Sequence, residues 1–173
     1  MDVALRAFEE GDLGFLDRLC VDPEALGPFE WSGFRDVRAR RRRWETDGYI
    51  GPHSTSLAVV VGGAVGGIAS WRSSDRGGPA GVCYEIGVAL LPEHRGRGIG
   101  TAAHRRLVDH LFRFTAVHRL EALTDAENIA EQRLLQRIGF AREGLLRGAV
   151  FLNGAWRDIA IYALLRGDGA VRR

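Results

Sequence analysis

Between a long apolar run, Val82 to Leu91, and an amphipathic segment that starts near Ile99 lies Arg95-Gly96-Arg97-Gly98-Ile99-Gly100. This glycine-rich turn constrains the chain more than any other feature. The apolar run reads as a strand, and Pro92 ends it because proline cannot donate to a ladder. Ile99, Ala103, Leu107 and Leu111 fall four apart, so a helix with one apolar face follows. A helix entered in this way presents N–H groups that lack backbone partners. Together with the helix dipole they favour an anion. Glycines let phosphate oxygens approach the backbone, and Arg95 and Arg97 add bidentate donors. A ligand with a diphosphate is the economical reading. The bland alternative is a structural turn flanked by solvated arginines.

The rest of the chain supplies elements around that turn. Val3 to Ala7 reads as a short strand. Asp12 reads as the N-cap of a helix carrying Leu13, Leu16 and Cys20. Pro23 and Pro28 interrupt, and a second helix is expected from about Asp36 to Glu45. Leu57–Val61 and Val65–Trp71 form a hairpin across Gly62-Gly63-Ala64. Gly87, inside the apolar run, suggests a bulge or a close backbone approach. His118 to Thr124 reads as a strand, Asn128 to Ile138 as a helix ended by Gly139. Phe140–Leu146 and Trp156–Leu165 close the chain as strands joined across Asn153-Gly154. Helices and strands in this order predict one α/β (α+β) domain with a mixed sheet over residues 1–173. A frayed polar tail is expected from Arg166 to Arg173.

Composition removes several function classes. The chain has 173 residues, 46% of them hydrophobic and 27% charged, enough to bury a core without staples. All 24 basic residues are arginine, which excludes Schiff-base and phosphate-loop lysines. A net charge of +2 is too even to argue for nucleic acid. Cys20 and Cys83 lack metal or disulfide spacing and read as free thiols in a reducing compartment. Met1-Asp2-Val3 does not begin a signal peptide, and glycines break the longest apolar stretch. A cytoplasmic protein without membrane partners is therefore expected. No histidine pair has helical metal spacing, and there is no HExxH or GxSxG. Neither a metal nor a catalytic triad is expected.

Arg95-x-x-Gly98-x-Gly100 resembles the acyl-CoA signature of the GNAT family of N-acetyltransferases. Glu85-Ile86-Gly87-Val88, followed by Pro92-Glu93-His94-Arg95-Gly96, resembles that family's fourth strand and its exit. Asn128 through Gly139-Phe140 resembles the family's Asn-headed helix. Glu143-Gly144, Gly154 to Asp158 and Ile161-Tyr162 resemble the ending of the Rim-type branch, which includes enzymes that acetylate ribosomal-protein N-termini. The similarity is close from Leu57 to Leu165 and loose before it. It implies a sheet splayed between strands 4 and 5, with acetyl-CoA as cosubstrate. The pantetheine arm would pair with Val88, Ala89 and Leu90 like an added strand. The pyrophosphate would rest on N–H groups from Gly96 through Arg97, Gly98 and Ile99 to Gly100, with Thr101 alongside. The bulge at Gly87 would aim N–H groups at the thioester carbonyl.

Acetyl transfer to an amine needs a base, because alkyl amines are protonated near pH 7. Glu85 is the first candidate; an arginine-paired strand residue is its alternative. Asn128 with Glu131 fits a capping box, and the resemblance adds contact with the CoA arm. The family's usual Ser and Tyr on this helix are replaced by Glu131 and Leu135, so no general acid is identified. Tyr162 as donor is weaker than Tyr162 as core, and Cys83 as nucleophile weaker than Cys83 as packing. Arg38 and Arg40–Arg43 read as a solvated helix face. An acidic acceptor, CoA's ribose phosphate or a partner surface are the functional readings. The resemblance implies direct transfer in a ternary complex, to a protein N-terminus or small-molecule amine, and a homodimer. Two other classes compete. One is a non-catalytic acyl-CoA sensor. The other is an NAD(P)-dependent oxidoreductase, with Glu121 or Asp125 as the ribose-binding acid.

Overall fold

Pairing of the apolar runs builds the sheet, and two tight turns set its registers. Gly62 and Gly63 both have positive φ, as do Asn153 and Gly154, the geometry of a two-residue hairpin loop. In this computed structural model, which describes residues 2–78 and 81–168, seven strands form one sheet in the order β1-β2-β3-β4-β5-β7-β6. They are β1 (Val3–Arg6), β2 (Ser54–Val61), β3 (Ala64–Ser73), β4 (Cys83–Leu90), β5 (Arg119–Asp125), β6 (Ala141–Leu152) and β7 (Ala155–Leu165). Only β4 and β5 run parallel. The mixed, mostly antiparallel sheet expected from the sequence is therefore present.

Five helices cover the faces: α1 (Leu13–Val21), α2 (Pro23–Leu26), α3 (Val37–Asp47), α4 (Ile99–Phe114) and α5 (Ile129–Arg137). The α4 stripe of Ile99, Ala103, Leu107 and Leu111 is buried with Ile86, Leu120 and Leu135. On the other face Leu13, Leu16 and Leu19 of α1 pack with Phe8, Tyr49 and Ala58. α1 and α4 each bury one stripe, as their 3.6-residue period requires, whereas α3 has no buried residue.

Local readings needed correction in four places. The Pro23 interruption is itself a one-turn helix, with Pro23 at N1 and the Asp22 side chain accepting from Glu24 N–H. Asp12 does not cap α1 with its side chain. It accepts from Glu9 N–H at 2.8 Å and from Arg6 at 2.6 Å. Gly87 is not a bulge, because β3 and β4 pair without a shift from Gly67↔Leu90 to Ser73↔Tyr84. Arg166, assigned above to the frayed tail, donates to the carbonyls of Val117, Phe112 and Thr115. Residues 169–173 of that tail lie outside the described residues.

Candidate active site

The parallel pairing of β4 with β5 covers only Cys83–Glu85 against Arg119–Glu121. Beyond that point β4 stays with β3 up to Leu90, and β5 stays with β7 up to Asp125. The strands part, and from Ile86 onward one edge of β4 has no strand partner. A cleft of about 880 Å³ opens in the gap. It is lined by both strands, the first turn of α4, the start of α5 and the Leu26–Glu30 connector.

The glycine turn closes one end of this cleft. Gly96 and Gly98 hold φ of 70° and 78°, a left-handed region that other residues enter at a cost of about 1–2 kcal/mol. Gly98 is the N-cap of α4, so the N–H groups of the first helical turn lack helical partners. Gly96, Gly98, Gly100 and Thr101 line the cleft, as do Val88, Ala89 and Leu90. Ile99 and Arg97 do not. The Ile99 side chain is core, 1% exposed, and Arg97 points its guanidinium at Glu93 O. Arg95 lines the cleft, but its side chain is committed elsewhere. It donates to Leu90 O (2.8 Å), Glu24 O (3.1 Å) and Ala25 O (2.7 Å). It therefore clamps α2 to the end of β4, which shapes the turn from outside.

Glu85 lines the cleft and accepts from Arg72 Nη2 at 2.7 Å, directly across the β3–β4 ladder. Glu85 is thus the arginine-paired strand residue that the sequence offered as its alternative, and it also faces the cleft. Asn128 accepts from Glu131 N–H at 3.2 Å, which caps α5. The reciprocal half of the capping box is not formed. Glu131 Oε1 instead lies 3.1 Å from Nε2 of His104, whose Nδ1 is 3.1 Å from Gly100 O. His104 and Glu131 both line the cleft; no local spacing connects them, so the sequence could not pair them. Leu135 and Tyr162 are fully buried, and the Tyr162 hydroxyl donates to Gln132. Cys83 is buried outside the cleft, and desolvation, with Glu121 adding to it, pushes its thiol up. That suits packing and not nucleophilic attack.

The dinucleotide alternative loses its acids. Glu121 is 0% exposed and ion-paired with Arg76 and Arg119. Asp125 accepts from Arg157 and from Glu127 N–H. Among the described residues no three His, Cys, Asp or Glu side chains gather as a metal centre requires. Among the described residues no helix is long and apolar enough to cross a membrane.

Sequence reasoning missed Glu30. It stands in the Pro28–Trp31 connector, where no motif or period marks it. It faces the cleft and also a second chamber of about 270 Å³ under α1–α3. The two spaces share Leu26, Glu30, Gly87, Val88 and Ala89. Glu30 is exposed, yet its carboxyl is pushed up to about 7. Loss of water in the crowded concavity is the main cause and repulsion from Glu131 the second; Arg95 and Arg35 oppose them.

A family model described as an acetyltransferase (GNAT) domain matches residues 2–141. A probable N-acetyltransferase of Bacillus subtilis, YjcK, is 40% identical over 83 residues, 48% of this chain and 46% of the relative. The chain thus spans about half the length of the curated relatives it matches first. The spermidine N-acetyltransferase of Vibrio cholerae, solved with CoA and spermine, superposes with a TM-score of 0.84 at 20% identity, over 96% of each chain. RimL, a ribosomal L7/L12 alpha-N-protein acetyltransferase solved with CoA, superposes with 0.80 at 20% identity, over 94% of this chain and 93% of that one.

Proposed function

The chain belongs to the GNAT acetyltransferase family, and from that premise we propose that it transfers an acetyl group from acetyl-CoA to a primary amine. One observation carries the reading. The unpaired β4 edge at Val88–Leu90 runs into a cleft whose end is lined by Gly96, Gly98, Gly100 and Thr101. An extended amide-bearing arm can pair with such an edge, and a diphosphate suits the N–H groups of that turn. Asn128 uses its oxygen as a cap, so its amide N–H groups remain for the arm. Arg95 serves by holding the turn in shape.

Transfer is direct, from the acetyl donor to the amine in one ternary complex. Neither cysteine lines the cleft or the chamber, so no thiol is placed to carry the acetyl group. The incoming ammonium, with an ordinary pKa of about 8 at a peptide N-terminus and about 10.4 on an alkyl amine, must lose a proton first. Glu85 and Glu30 are the carboxylates facing the cleft near Gly87, and either can accept that proton directly or through water. Backbone N–H groups of β4 beside Gly87 polarise the carbonyl, without the bulge that the sequence suggested. No tyrosine takes the family's proton-donor place, and the departing thiolate is protonated from solvent. Free, buried Cys20 and Cys83 fit a reducing, cytoplasmic setting.

Calorimetric titration tests the reading. Acetyl-CoA is expected to bind in the micromolar range, and a Gly98→Trp variant to lose that binding. The bulky side chain would stand at the turn with an unfavourable φ. Absence of acetyl-CoA binding to the wild type would sink the proposal. Tight binding with no amine acetylated would favour the sensor, and NADPH binding the oxidoreductase.

A homodimer is part of the same proposal. β6 is an outermost strand, and Leu145, Leu146, Val150, Phe151 and Trp156 stand exposed on its hairpin with β7. An apolar, unpaired edge is a template for a second copy of the chain. Sedimentation should give twice the chain mass, falling to one when Phe151 and Trp156 are replaced by serine; a monomeric wild type would refute it.

A further inference from the structure

The chamber under α1–α3 has a polar floor where a core would be expected. Ser56 pairs with Ser70 across β2–β3, and Ser70 pairs with Gly87 across β3–β4. The three form one row across the sheet, on the face that buries Ala58 against α1. Ser56 is only 7% exposed. Among the described residues, neither serine hydroxyl has a hydrogen-bond partner. Ser70 is half-buried, and both hydroxyls line the chamber, where each can donate to and accept from a ligand.

The opposite wall carries two arginines of distinct character. Arg41, Arg42 and Arg43 of the basic run face Asp17, Asp36 and Asp47 respectively. Arg40 and Arg35 line the chamber, and among the described residues neither has a carboxylate within ion-pair distance. Arg40 donates through Nε to Cys20 Sγ at 3.2 Å, and Arg35 through Nη2 to Ser32 Oγ at 2.7 Å. Each keeps further N–H donors for a ligand. Glu30 is the chamber's single acid and stands where the chamber meets the cleft.

We propose that the acceptor amine carries a carboxylate, which Arg35 and Arg40 bind over the Ser56–Ser70 row while the amino group lies between Glu30 and Gly87. This rests on the acetyltransferase reading and specifies its acceptor class. Guanidinium groups match carboxylates with paired donors. One acid placed at the junction leaves the amine at the mouth of the acetyl site. A volume of about 270 Å³ suits a molecule of amino-acid size or the first residue of a peptide. A polyamine would instead bring its additional positive charges against two unpaired arginines. The acceptor class therefore differs from that named for the spermidine acetyltransferase, despite the shared fold.

The test measures CoA release with four acceptor sets: free amino acids, their carboxamides, peptides beginning with Asp or Glu, and spermidine. The carboxylate-bearing amines are expected to exceed their amides in kcat/KM by about tenfold or more. Arg35→Gln and Arg40→Gln should abolish that ratio by raising KM for the carboxylate amines, with acetyl-CoA affinity and Tm retained. Preference for free amino acids over peptides, or the reverse, identifies the source of the carboxylate. Spermidine or amides acetylated as well as carboxylate amines would overturn the inference. So would a ratio that survives both substitutions, or acetyl-CoA binding with no carboxylate amine acetylated. Failure to bind acetyl-CoA at all would instead break the underlying function.

Discussion

Replacing Gly87 with leucine is expected to lower kcat/KM about 100-fold while leaving the protein at least as stable as before. A Cβ built on Gly87 meets no atom within 4 Å, and its φ lies outside the region that disfavours side chains. The β3–β4 ladder is regular on both sides of it, so a side chain can enter the strand without disturbing its pairing. Glycine inside a strand costs about 0.5–1 kcal/mol relative to alanine, and the variant regains part of that. For a chain of this length, Tm should then rise by about 1–4 °C. The new side chain would project into the space shared by the cleft and the chamber. If the amine and the acetyl group meet there, even a displacement of about 1 Å costs on the order of 100-fold in rate. Gly87→Ala should give a smaller loss, less than about tenfold, because a methyl group fills only part of the junction. Steady-state kinetics with a thermal melt checks both halves. A fully active Gly87→Leu enzyme would place the reaction elsewhere.

The largest loss of stability is expected at Glu121, outside the cleft. Its carboxylate is 0% exposed and accepts from Arg76 Nε at 2.7 Å and from Arg119 Nε at 2.7 Å. Arg119 continues the network to Glu143. Glu121→Gln removes the charge and leaves Arg119, which is three-quarters buried, short of a partner. Breaking a buried pair from one side costs about 3–5 kcal/mol. The partial exposure of both arginines places this one near about 3 kcal/mol, or a fall in Tm of about 6–12 °C.

The pH dependence follows from the same contacts. Burial alone would raise the Glu121 carboxyl, but Arg119 and Arg76 outweigh it and hold it below its usual range. A depressed carboxyl contributes stability that is present above the ordinary value of 4.5 and lost as pH falls through the native value. The wild type should therefore lose stability below about pH 4.5, and Glu121→Gln should show a shallower decline over that range. Asp12, held down by Arg6, and Glu143, held down by Arg119, add to the wild-type slope. Urea melts at several pH values would measure the difference. Parallel slopes would mean that the ion pair contributes nothing to folding.

Much of the frame is local and was legible. The α4 stripe, the two-residue hairpin loops, the Asn128 cap and the glycine turn each depend on residues a few positions apart, where period and dihedral preference act directly. The same locality explains the errors. Asp12 has the spacing of a cap for α1, but Arg6 and Glu9 reach it first. Gly87 has the look of a bulge because a strand gives few other reasons for glycine. The actual reason is an empty space bounded by Leu26 and Glu30, more than fifty residues earlier in the chain.

By itself the sequence marked, through local pattern, the strands and the longer helices but not α2; it also marked a helix N-terminus after a glycine turn and the family to which that combination belongs. Tertiary structure alone decided the uses of the charged side chains. Arg95 has the position of a phosphate ligand, but carbonyls of Glu24 and Ala25 claim its guanidinium. Among the described residues Arg40 lacks the carboxylate partner that Arg41, Arg42 and Arg43 have, and it turns to Cys20 instead. Glu30 acquires its character from a cleft built by distant strands. Hydrophobic periodicity is a property of short segments, while desolvation and ion pairing depend on whatever the rest of the chain brings within a few ångströms.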